Sequence, residues 1–301
     1  MPTTTQTARR SLAGIAKPEI IRVARWNAHP WLIHGFSTRP HGHSTAYGGN
    51  HLNLGFTASD DRNAVERNRA AFLNALLGRR SRSDATLVTL RQVHSDIIHV
   101  IDRAPTRTLT GDGVITRTPG LLLAILTADC VPVLVFDRDT RQQVVAAFHA
   151  GWRGTLKRIV QKGVGTLRAR FRSKTEDLEA AIGPCIQQCC YSVGEEVVEQ
   201  FQSQFTYADS LFRDVYDKDP IKDKYPLLFM TARAPGHFNI NSTPHLDLVE
   251  ANRRQLLDAG VPEENIHIAS DCTSCNPHRL WSHRAEHGHA GRMMSIIGVR
   301  K

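Results

Sequence analysis

The 301-residue sequence has few cysteines, few aromatic residues and no long uninterrupted apolar segment. Six cysteines are too few for a disulfide scaffold, and no apolar stretch near the N-terminus suggests a secretory signal, so we expect a reducing, cytoplasmic setting. The longest apolar candidate, residues 121–136, is interrupted by Asp129, Cys130 and Pro132, and a bilayer span needs roughly 20 residues. A hydrophobic content of 41% also excludes a disordered chain. The sequence therefore predicts a globular protein with no membrane span.

Negative charge is in the minority. The 38 lysines and arginines exceed the 29 acidic residues and give a net charge of +9, which favours anionic partners such as phosphate, nucleotides or nucleic acid. The basic residues are scattered, and the densest run, residues 79–82, has no interleaved aromatic side chains of the kind that bind single strands. Nucleic acid is therefore not the favoured partner. A non-enzymatic, basic nucleic-acid-binding module remains an alternative, which a steep salt dependence of binding would identify.

Two stretches of the chain have little regular pattern. Residues 1–20 are rich in Thr, Ser and Arg and have no acidic residue before Glu19, which predicts a flexible N-terminal tail and faintly resembles an organellar transit peptide. Residues 202–244 are polar, with prolines at 220, 226 and 235 and little periodicity, and predict an inserted surface loop.

The centre of the chain carries three apolar runs, residues 121–126, 131–136 and 144–148. Each has the length of a strand, and continuous apolarity predicts burial on both faces, so we expect them to form the core of one sheet covered by helices. A helix over about 155–171, with its apolar residues on one face, follows the third run. Another helix is expected over about 60–77, with Asp60 or Asp61 as its N-cap. Further strands are expected at residues 31–36, 178–182, 266–268 and 294–299, and further helices at residues 194–201 and 246–257.

Three metal-competent side chains lie at the edges of buried segments. His94 lies within a β-like segment at residues 87–100, Cys130 lies between the first two apolar runs, and His149 directly follows the third. Sites collect at strand ends in α/β sheets, and a catalytic zinc takes three protein ligands while a fourth position stays open. The separations of 36 and 19 positions match no short zinc motif, so an inert buried cysteine with two hydrogen-bonded histidines is the alternative.

The segment that follows His149 is rich in glycine. Gly151 and Gly154 allow backbone N–H groups to approach a ligand closely, and Arg153 adds a guanidinium at the start of the predicted helix. This combination suits phosphate or a carboxylate. The alternative is a tight strand-to-helix turn with Trp152 packed in the core.

The other cysteines suggest a separate metal site. Two groups, Cys185 with Cys189 and Cys190, and Cys272 with Cys275, could provide four thiolates for a zinc ion, although the first group is irregularly spaced. Two His-Gly-His tripeptides, at residues 41–43 and 287–289, resemble fragments of copper sites. No His-Cys-His sequence accompanies them, so a blue-copper centre fits poorly.

With these features in place, the sequence closely resembles the YfiH-like family, which was long labelled laccase or multicopper polyphenol oxidoreductase and is now associated with purine nucleoside phosphorylase activity. The resemblance covers about residues 31–299, and its most specific motifs are Thr-Ala-Asp-Cys at 127–130 and His-Ala-Gly-Trp-Arg-Gly at 149–154. The matching segments are residues 35–39, 53–55, 92–94, 112–116, 127–134, 149–154, 182–186, 247–248, 272–273, 282–284 and 291–292.

The resemblance implies an α/β fold in which mixed sheets are sandwiched by helices, with residues 21–301 as one catalytic domain and a monomeric state. It implies that His94, Cys130 and His149 hold Zn²⁺. It also implies phosphorolysis of adenosine, inosine, guanosine and methylthioadenosine, with purine nucleosides and phosphate as substrates, and deamination of adenosine to inosine. The insertion at 202–244 departs from the family pattern and leaves the substrate preference open.

Residue roles follow from the same resemblance. The expected catalytic residues are Cys130, His149, Asp129 and Arg153, and the expected substrate-binding residues are Arg39, Asn53, Asp112, His283 and Arg284. Arg153 or Arg39 would balance phosphate charge, and Asp129 or Asp112 would be the acid for the departing purine if burial raises its pKa. His283 and Arg284 would complete the rim, or else form a surface ion-pair cluster.

A cysteine hydrolase is the rival enzyme. The catalytic domain of cytotoxic necrotising factor toxins has a similar fold with a cysteine and a histidine in corresponding places. Cys130 would then be a nucleophile that His149 activates toward an amide, as in the editing of peptidoglycan precursors.

Overall fold

The computed structural model describes residues 17–78, 85–216 and 242–301, which fold into a mixed α/β structure. The strands are β1 (Ile20–Ile21), β2 (Leu32–Ser37), β3 (Pro40–Ser44), β4 (Thr86–Arg91), β5 (Ile98–Val100), β6 (Leu109–Thr110), β7 (Gly113–Thr116), β8 (Leu121–Thr127), β9 (Val131–Asp137), β10 (Val145–Ala150), β11 (Leu178–Ile182), β12 (Phe212–Tyr216), β13 (Ser242–Leu246), β14 (Ile266–Ile268) and β15 (Met293–Val299). The α-helices are α1 (Arg62–Leu77), α2 (Trp152–Leu156), α3 (Ile159–Phe171), α4 (Glu195–Gln204) and α5 (Leu248–Asp258). Short 3-10 helices span Ala24–Ala28, Thr175–Asp177, Ala208–Leu211 and Glu263–Asn265.

Two six-stranded sheets form the centre of the described structure. The strand order is β1-β2-β15-β8-β4-β6 in the first sheet and β14-β11-β9-β10-β7-β5 in the second. Both sheets are mixed, because β8 runs antiparallel to β15 but parallel to β4, and β11 runs antiparallel to β9 but parallel to β14. A third, two-stranded sheet pairs β12 with β13.

The three central apolar runs do not share one sheet, and that prediction was wrong. The first run is β8 in the first sheet, whereas the second and third runs are β9 and β10, which pair with each other in the second sheet. The short connection between β8 and β9 therefore crosses from one sheet to the other. Burial on both faces is confirmed, but an apolar run does not specify which strand it pairs with.

Alternate residues of these strands face different layers. Leu123 and Ile125 of β8 belong to an apolar cluster between the sheets that also contains Leu134 and Phe136 of β9. On its other face, β8 packs with α1, as in the cluster of Leu122 and Phe72. The outer face of β9 packs in turn against residues of α3, α4 and α5. The layers run helix, sheet, sheet, helices, which confirms the expected sandwich of mixed sheets between helices.

The helices differ in detail from the sequence-based expectation. Asp61 is the N-cap of α1, because its side chain accepts a hydrogen bond from the Ala64 backbone amide at 2.9 Å. The single helix expected over 155–171 was wrong, since α2 ends at Leu156 and α3 begins at Ile159. Arg158 between them has a left-handed backbone, with φ of 62°. Neither glycine nor proline marks this break, so the sequence carries no signal for it.

The insertion predicted over 202–244 is only partly described. Its first residues complete α4, and β12 pairs with β13 in antiparallel register, so its described ends are regular rather than loop-like. Residues 1–16 of the predicted tail, the basic run at 79–82 and residues 217–241 lie outside the described residues. Among the helices that the structure describes, none combines the length and apolar character needed to cross a bilayer.

Candidate metal centre and its cavity

Three side chains that lie far apart along the chain converge at one point. The ligand atoms of His94, Cys130 and His149 all lie within 4.8 Å of one another. The His94 Nε2 atom is 3.8 Å from the Cys130 sulfur, and the two imidazole rings have their centroids 4.9 Å apart. His94 follows β4, Cys130 directly precedes β9, and His149 lies near the end of β10. Three strands of the sandwich therefore bring the three predicted metal ligands together.

The backbone around this cluster is strained. His94 and Asp129 have positive φ values of 57° and 92°, although neither is a glycine. Such conformations persist at functional sites where the surroundings hold them in place. One of the groups that hold them is the Gln92 side chain, which both donates to and accepts from the backbone of Leu126, each at 2.8 Å. This clamp ties the turn that carries His94 to the end of the strand that leads to Cys130.

Gly151 is required by close packing against the cluster. A Cβ atom at this position would lie 2.9 Å from the Cys130 sulfur and 3.0 Å from the His94 ring. Real Cβ contacts are rarely that short, so any other residue would push the ligands apart. The glycine expected to approach a phosphate therefore makes room for the candidate metal ligands.

Asp112 lies behind His149 rather than in the cavity. Its carboxylate is fully buried and is 2.8 Å from His149 Nδ1, which leaves Nε2 of His149 for the cluster. It also accepts hydrogen bonds from the backbone amides of Val93, His94 and Ser95. Asp112 thus orients one ligand and fixes the turn that carries another.

The protonation state of Asp112 excludes the acid role considered from the sequence. Burial acts to raise the pKa of this carboxyl group, but hydrogen bonds from His149 and Ser95 outweigh burial and lower the pKa well below its usual value. The carboxylate is therefore ionised at neutral pH. A carboxyl group that donates a proton at neutral pH needs a raised pKa, whereas the pKa of Asp112 is lowered.

Cys130 and His149 stabilise each other's charged forms. Burial disfavours both charges, but the facing thiolate and imidazolium lower the pKa of Cys130 and raise the pKa of His149. A thiolate is the form of cysteine that binds metal and the form that acts as a nucleophile. The site is therefore prepared for either chemistry.

A cavity of about 620 Å³ opens over the cluster. His94, Cys130 and His149 line it together with the predicted rim residue His283. Sequence reasoning did not assign four other lining residues to the site: Phe56, Gln92, His289 and Arg292. Three of them carried a signal, because Gln92 and Arg292 belong to motifs of the family resemblance and His289 to a His-Gly-His tripeptide. No sequence signal indicated Phe56, a large apolar residue that is 48% exposed.

Two predicted substrate-binding residues are engaged elsewhere. Arg39 pairs with Glu286 at 2.9 Å and stacks on the Trp281 ring at 4.1 Å. Asn53 is fully buried. Its side-chain N–H donates to the Gly55 carbonyl, and its side-chain oxygen accepts from the Arg292 backbone amide. Both residues hold the segments behind the cavity wall, and neither is among its lining residues.

Asp129 joins segments that are distant in sequence. Its carboxylate accepts from the Thr273 hydroxyl at 2.6 Å and from the Arg284 backbone amide at 2.7 Å. The Arg284 guanidinium donates to Ser192. Arg153 is exposed and stacks over its neighbour Trp152 at 4.1 Å. Asp129, Arg284 and Arg153 thus lie near the cluster without lining the cavity.

The fold and the site define a mixed α/β protein with a His–Cys–His centre at a cavity. The family model described as multi-copper polyphenol oxidoreductase laccase matches residues 33–300. The chain therefore belongs to this laccase-like YfiH family, which confirms the resemblance seen in the sequence.

Individual relatives carry enzyme names. The chain is 33% identical to "Purine nucleoside phosphorylase YlmD" of Geobacillus stearothermophilus, over 91% of this chain and 96% of that protein. It is 34% identical to "Adenosine deaminase RL5" of an unknown prokaryotic organism, over 70% of this chain and 74% of that protein. The crystal structure of the Bacillus licheniformis hypothetical protein YfiH superimposes with a TM-score of 0.76 at 31% identity, covering 95% of this chain and 97% of that chain. These names support an enzyme that acts on nucleosides.

Proposed function

We propose that this protein is a zinc-dependent purine nucleoside phosphorylase that also deaminates adenosine. Its substrates would be phosphate and purine nucleosides, namely adenosine, inosine, guanosine and methylthioadenosine, and its products the free base and ribose 1-phosphate. The observation that carries the proposal is the convergence of His94, Cys130 and His149 at the base of a 620 Å³ cavity. A cavity of this size accommodates a nucleoside, since small-molecule sites measure about 300–1,000 Å³.

Zinc fits the donor atoms better than copper. One thiolate and two imidazoles, one of them oriented by a buried carboxylate, match a zinc site with an open fourth position. A blue-copper centre adds a weak axial ligand, usually methionine, and none of the described residues that line the cavity is a methionine. Bound here, zinc would supply a Lewis acid and an open coordination position.

The cavity residues suggest how the chain holds its substrates. Phe56 supplies apolar surface for a purine at the cavity wall, where its ring also packs against the guanidinium groups of Arg62 and Arg69. Arg292 lines the cavity, and although its Nη1 donates to the carbonyls of Ala290 and Gly291, the rest of its guanidinium can pair with phosphate. Arg153, which with Arg39 was expected from the sequence to balance phosphate charge, lies outside the lining and two residues after Gly151, which packs against Cys130. We therefore assign phosphate binding to Arg292 and retain Arg153 as an outer contributor.

The proton for the departing purine must come from a group that faces the cavity. His283 meets this condition, whereas Asp112 is buried and ionised. Both oxygens of Asp129 are already bonded, to Thr273 and Arg284, so we assign Asp129 to positioning the loop that carries Cys130. We retain the monomeric state implied by the family resemblance as part of the proposal. All six cysteines are free thiols, which suits the cytoplasm.

Metal analysis and product identification test the proposal together. The zinc-loaded protein, incubated with adenosine and phosphate, is expected to form adenine, ribose 1-phosphate and inosine. His149→Ala should remain folded by circular dichroism. It should also lose the zinc of this centre. Its turnover should fall further than the about 10- to 100-fold loss that is typical when a residue supporting a metal ligand is changed. His278→Ala, which removes an exposed histidine outside the cavity lining, is the matched control and should keep zinc and turnover. Full turnover by His149→Ala without zinc at this centre would reject the proposal.

The Cys130–His149–Asp112 chain favours a second candidate, the cysteine hydrolase. That enzyme would be metal-free as purified, and iodoacetamide would modify Cys130 immediately. The zinc enzyme predicts the opposite order, because a zinc-bound thiolate reacts only after a chelator removes the ion. Peptide mapping of labelled protein before and after chelation distinguishes the two functions.

A further inference from the structure

A second sulfur cluster lies outside the His–Cys–His centre. The sulfur atoms of Cys189, Cys190, Cys272 and Cys275 all lie within 4.8 Å of one another. The Cys275 sulfur is 3.3 Å from that of Cys190 and 3.6 Å from that of Cys189, and the two adjacent cysteines are 3.7 Å apart. The proposed catalysis uses none of these residues.

The spacing of the sulfur atoms matches ligands of one tetrahedral ion. With a zinc–sulfur bond of about 2.3 Å, neighbouring sulfurs of a four-thiolate site lie about 3.8 Å apart. The observed 3.3–3.7 Å is close to this edge and is much longer than the about 2.05 Å of a disulfide bond. In an iron–sulfur cluster the cysteine thiolates bind different iron atoms. Here all four sulfur atoms lie close enough together to bind a single ion, so a mononuclear site fits better.

Two turns hold the four cysteines in place. Cys189 and Cys190 lie in a turn closed by the bond from the Cys190 amide to the Gln187 carbonyl. Cys272 and Cys275 have the two-residue spacing common among zinc ligands, and the Asn276 amide closes their turn on the Cys272 carbonyl. The backbones at the start of the two turns meet, because Cys185, shortly before the first turn, forms a backbone β-bridge with Cys272. Each turn thus presents two thiols to the same point.

The structure also decides which cysteines take part. Cys185 has no exposed surface and belongs to the apolar core, so it is not a ligand. Cys189 and Cys275 are exposed and Cys190 is partly exposed, so an ion can reach the cluster from solvent. The four-thiolate site considered from the sequence therefore needs Cys189 and Cys190 but not Cys185.

We propose that Cys189, Cys190, Cys272 and Cys275 bind one zinc ion in a closed, structural site. Four thiolates complete a tetrahedral shell and leave no position for substrate. The ion would join the two turns that hold Asp129, whose carbonyl accepts from the Ile186 amide and whose carboxylate accepts from Thr273. Because Asp129 directly precedes Cys130, the second ion would stiffen the loop of the first centre. This second site does not depend on the proposed function.

Metal counting on the full chain, purified under reducing conditions and loaded with zinc, tests the second site. Wild-type protein should bind two zinc ions per chain, the Cys189→Ser/Cys275→Ser double variant one, and His149→Ala one. Combining all three substitutions should leave none. Cys185→Ala is the matched control, because it removes a thiol beside the cluster and should still bind two.

Cobalt substitution gives a readout that survives if the double variant misfolds. His149→Ala loaded with Co²⁺ should show the intense thiolate-to-cobalt charge-transfer bands and strong visible bands of a tetrahedral sulfur site. Their absence would overturn the proposal. The proposal would also be overturned if wild-type protein bound one zinc ion and His149→Ala bound none. A measured protein mass two hydrogens below the calculated mass would overturn it too, because it would show a disulfide in place of the ion. Loss of nucleoside turnover alone would concern the proposed function and not this site.

Discussion

The two thiol-containing clusters of this protein are built in opposite ways. His94, Cys130 and His149 come from three different strand ends of the sandwich, use two kinds of donor atom and line a cavity. Cys189, Cys190, Cys272 and Cys275 come from two turns and use sulfur alone. Ligands from separate strand ends leave room for a substrate, whereas paired cysteines on turns close around an ion. On this basis we expect the first cluster to be a reactive centre and the second a structural one.

Among residues that are not themselves candidate ligands, the largest expected effect comes from Asp112, which supports only the first cluster. Asp112→Asn keeps the shape of the side chain but removes the charge that orients His149 and binds three backbone amides. We expect zinc affinity at the first centre, or turnover, to fall about 10- to 100-fold. The second ion should remain bound. Isothermal titration with zinc and steady-state kinetics measure the two effects.

Ser95→Ala provides a graded control for Asp112. It removes the hydroxyl that donates to Asp112 and accepts from the Ile97 amide, and it leaves the hydrogen bond between Asp112 and His149 intact. Its effect should be clearly smaller than that of Asp112→Asn. Equal effects of both substitutions, or loss of both ions in Asp112→Asn, would contradict a role confined to the first centre.

The next effect concerns phosphate, which only the first centre should use. Arg292→Ala is expected to raise the KM for phosphate about tenfold or more while changing the KM for adenosine little, because the proposed charge-assisted contact with phosphate would be lost. Arg153→Ala should also raise the KM for phosphate more than that for adenosine, but less strongly. Initial rates at varied phosphate and adenosine concentrations test both variants. Equal changes in the two KM values would remove the phosphate assignment from that arginine.

The smallest effect is expected at the hydrogen bond between Thr273, which follows Cys272, and Asp129, which precedes Cys130. Thr273→Val removes the hydroxyl that donates to Asp129 and keeps a side chain of similar shape. Loss of one hydrogen bond to a charged group should cost about 1.5–3 kcal/mol of stability and lower kcat a few-fold, without releasing either ion. Urea unfolding and metal counting check this. Release of the first ion would show that Asp129 acts more directly on that centre.

Much of the site could be predicted from the sequence, and its surroundings could not. His94, Cys130 and His149 stand at the edges of buried segments, but their spacing matches no short zinc motif, and the resemblance to the YfiH-like family is what predicted them as one set of metal ligands. Asp112 and Gln92 act through contacts with residues 37 and 34 positions away, which no local pattern encodes. The break at Arg158 likewise depends on tertiary contacts, because its guanidinium stacks on Phe205 and donates to Gln204.

The sequence by itself determined the main buried strands, their burial on both faces and the chemical types available at the first centre, because apolar periodicity and residue chemistry act locally. Only the tertiary structure decided that the apolar runs divide between two sheets, that Asp112 is a buried ionised support and that Cys185 is excluded from the four-sulfur cluster. The physical reason is that strand pairing, desolvation and ligand distances depend on residues brought together from distant parts of the chain.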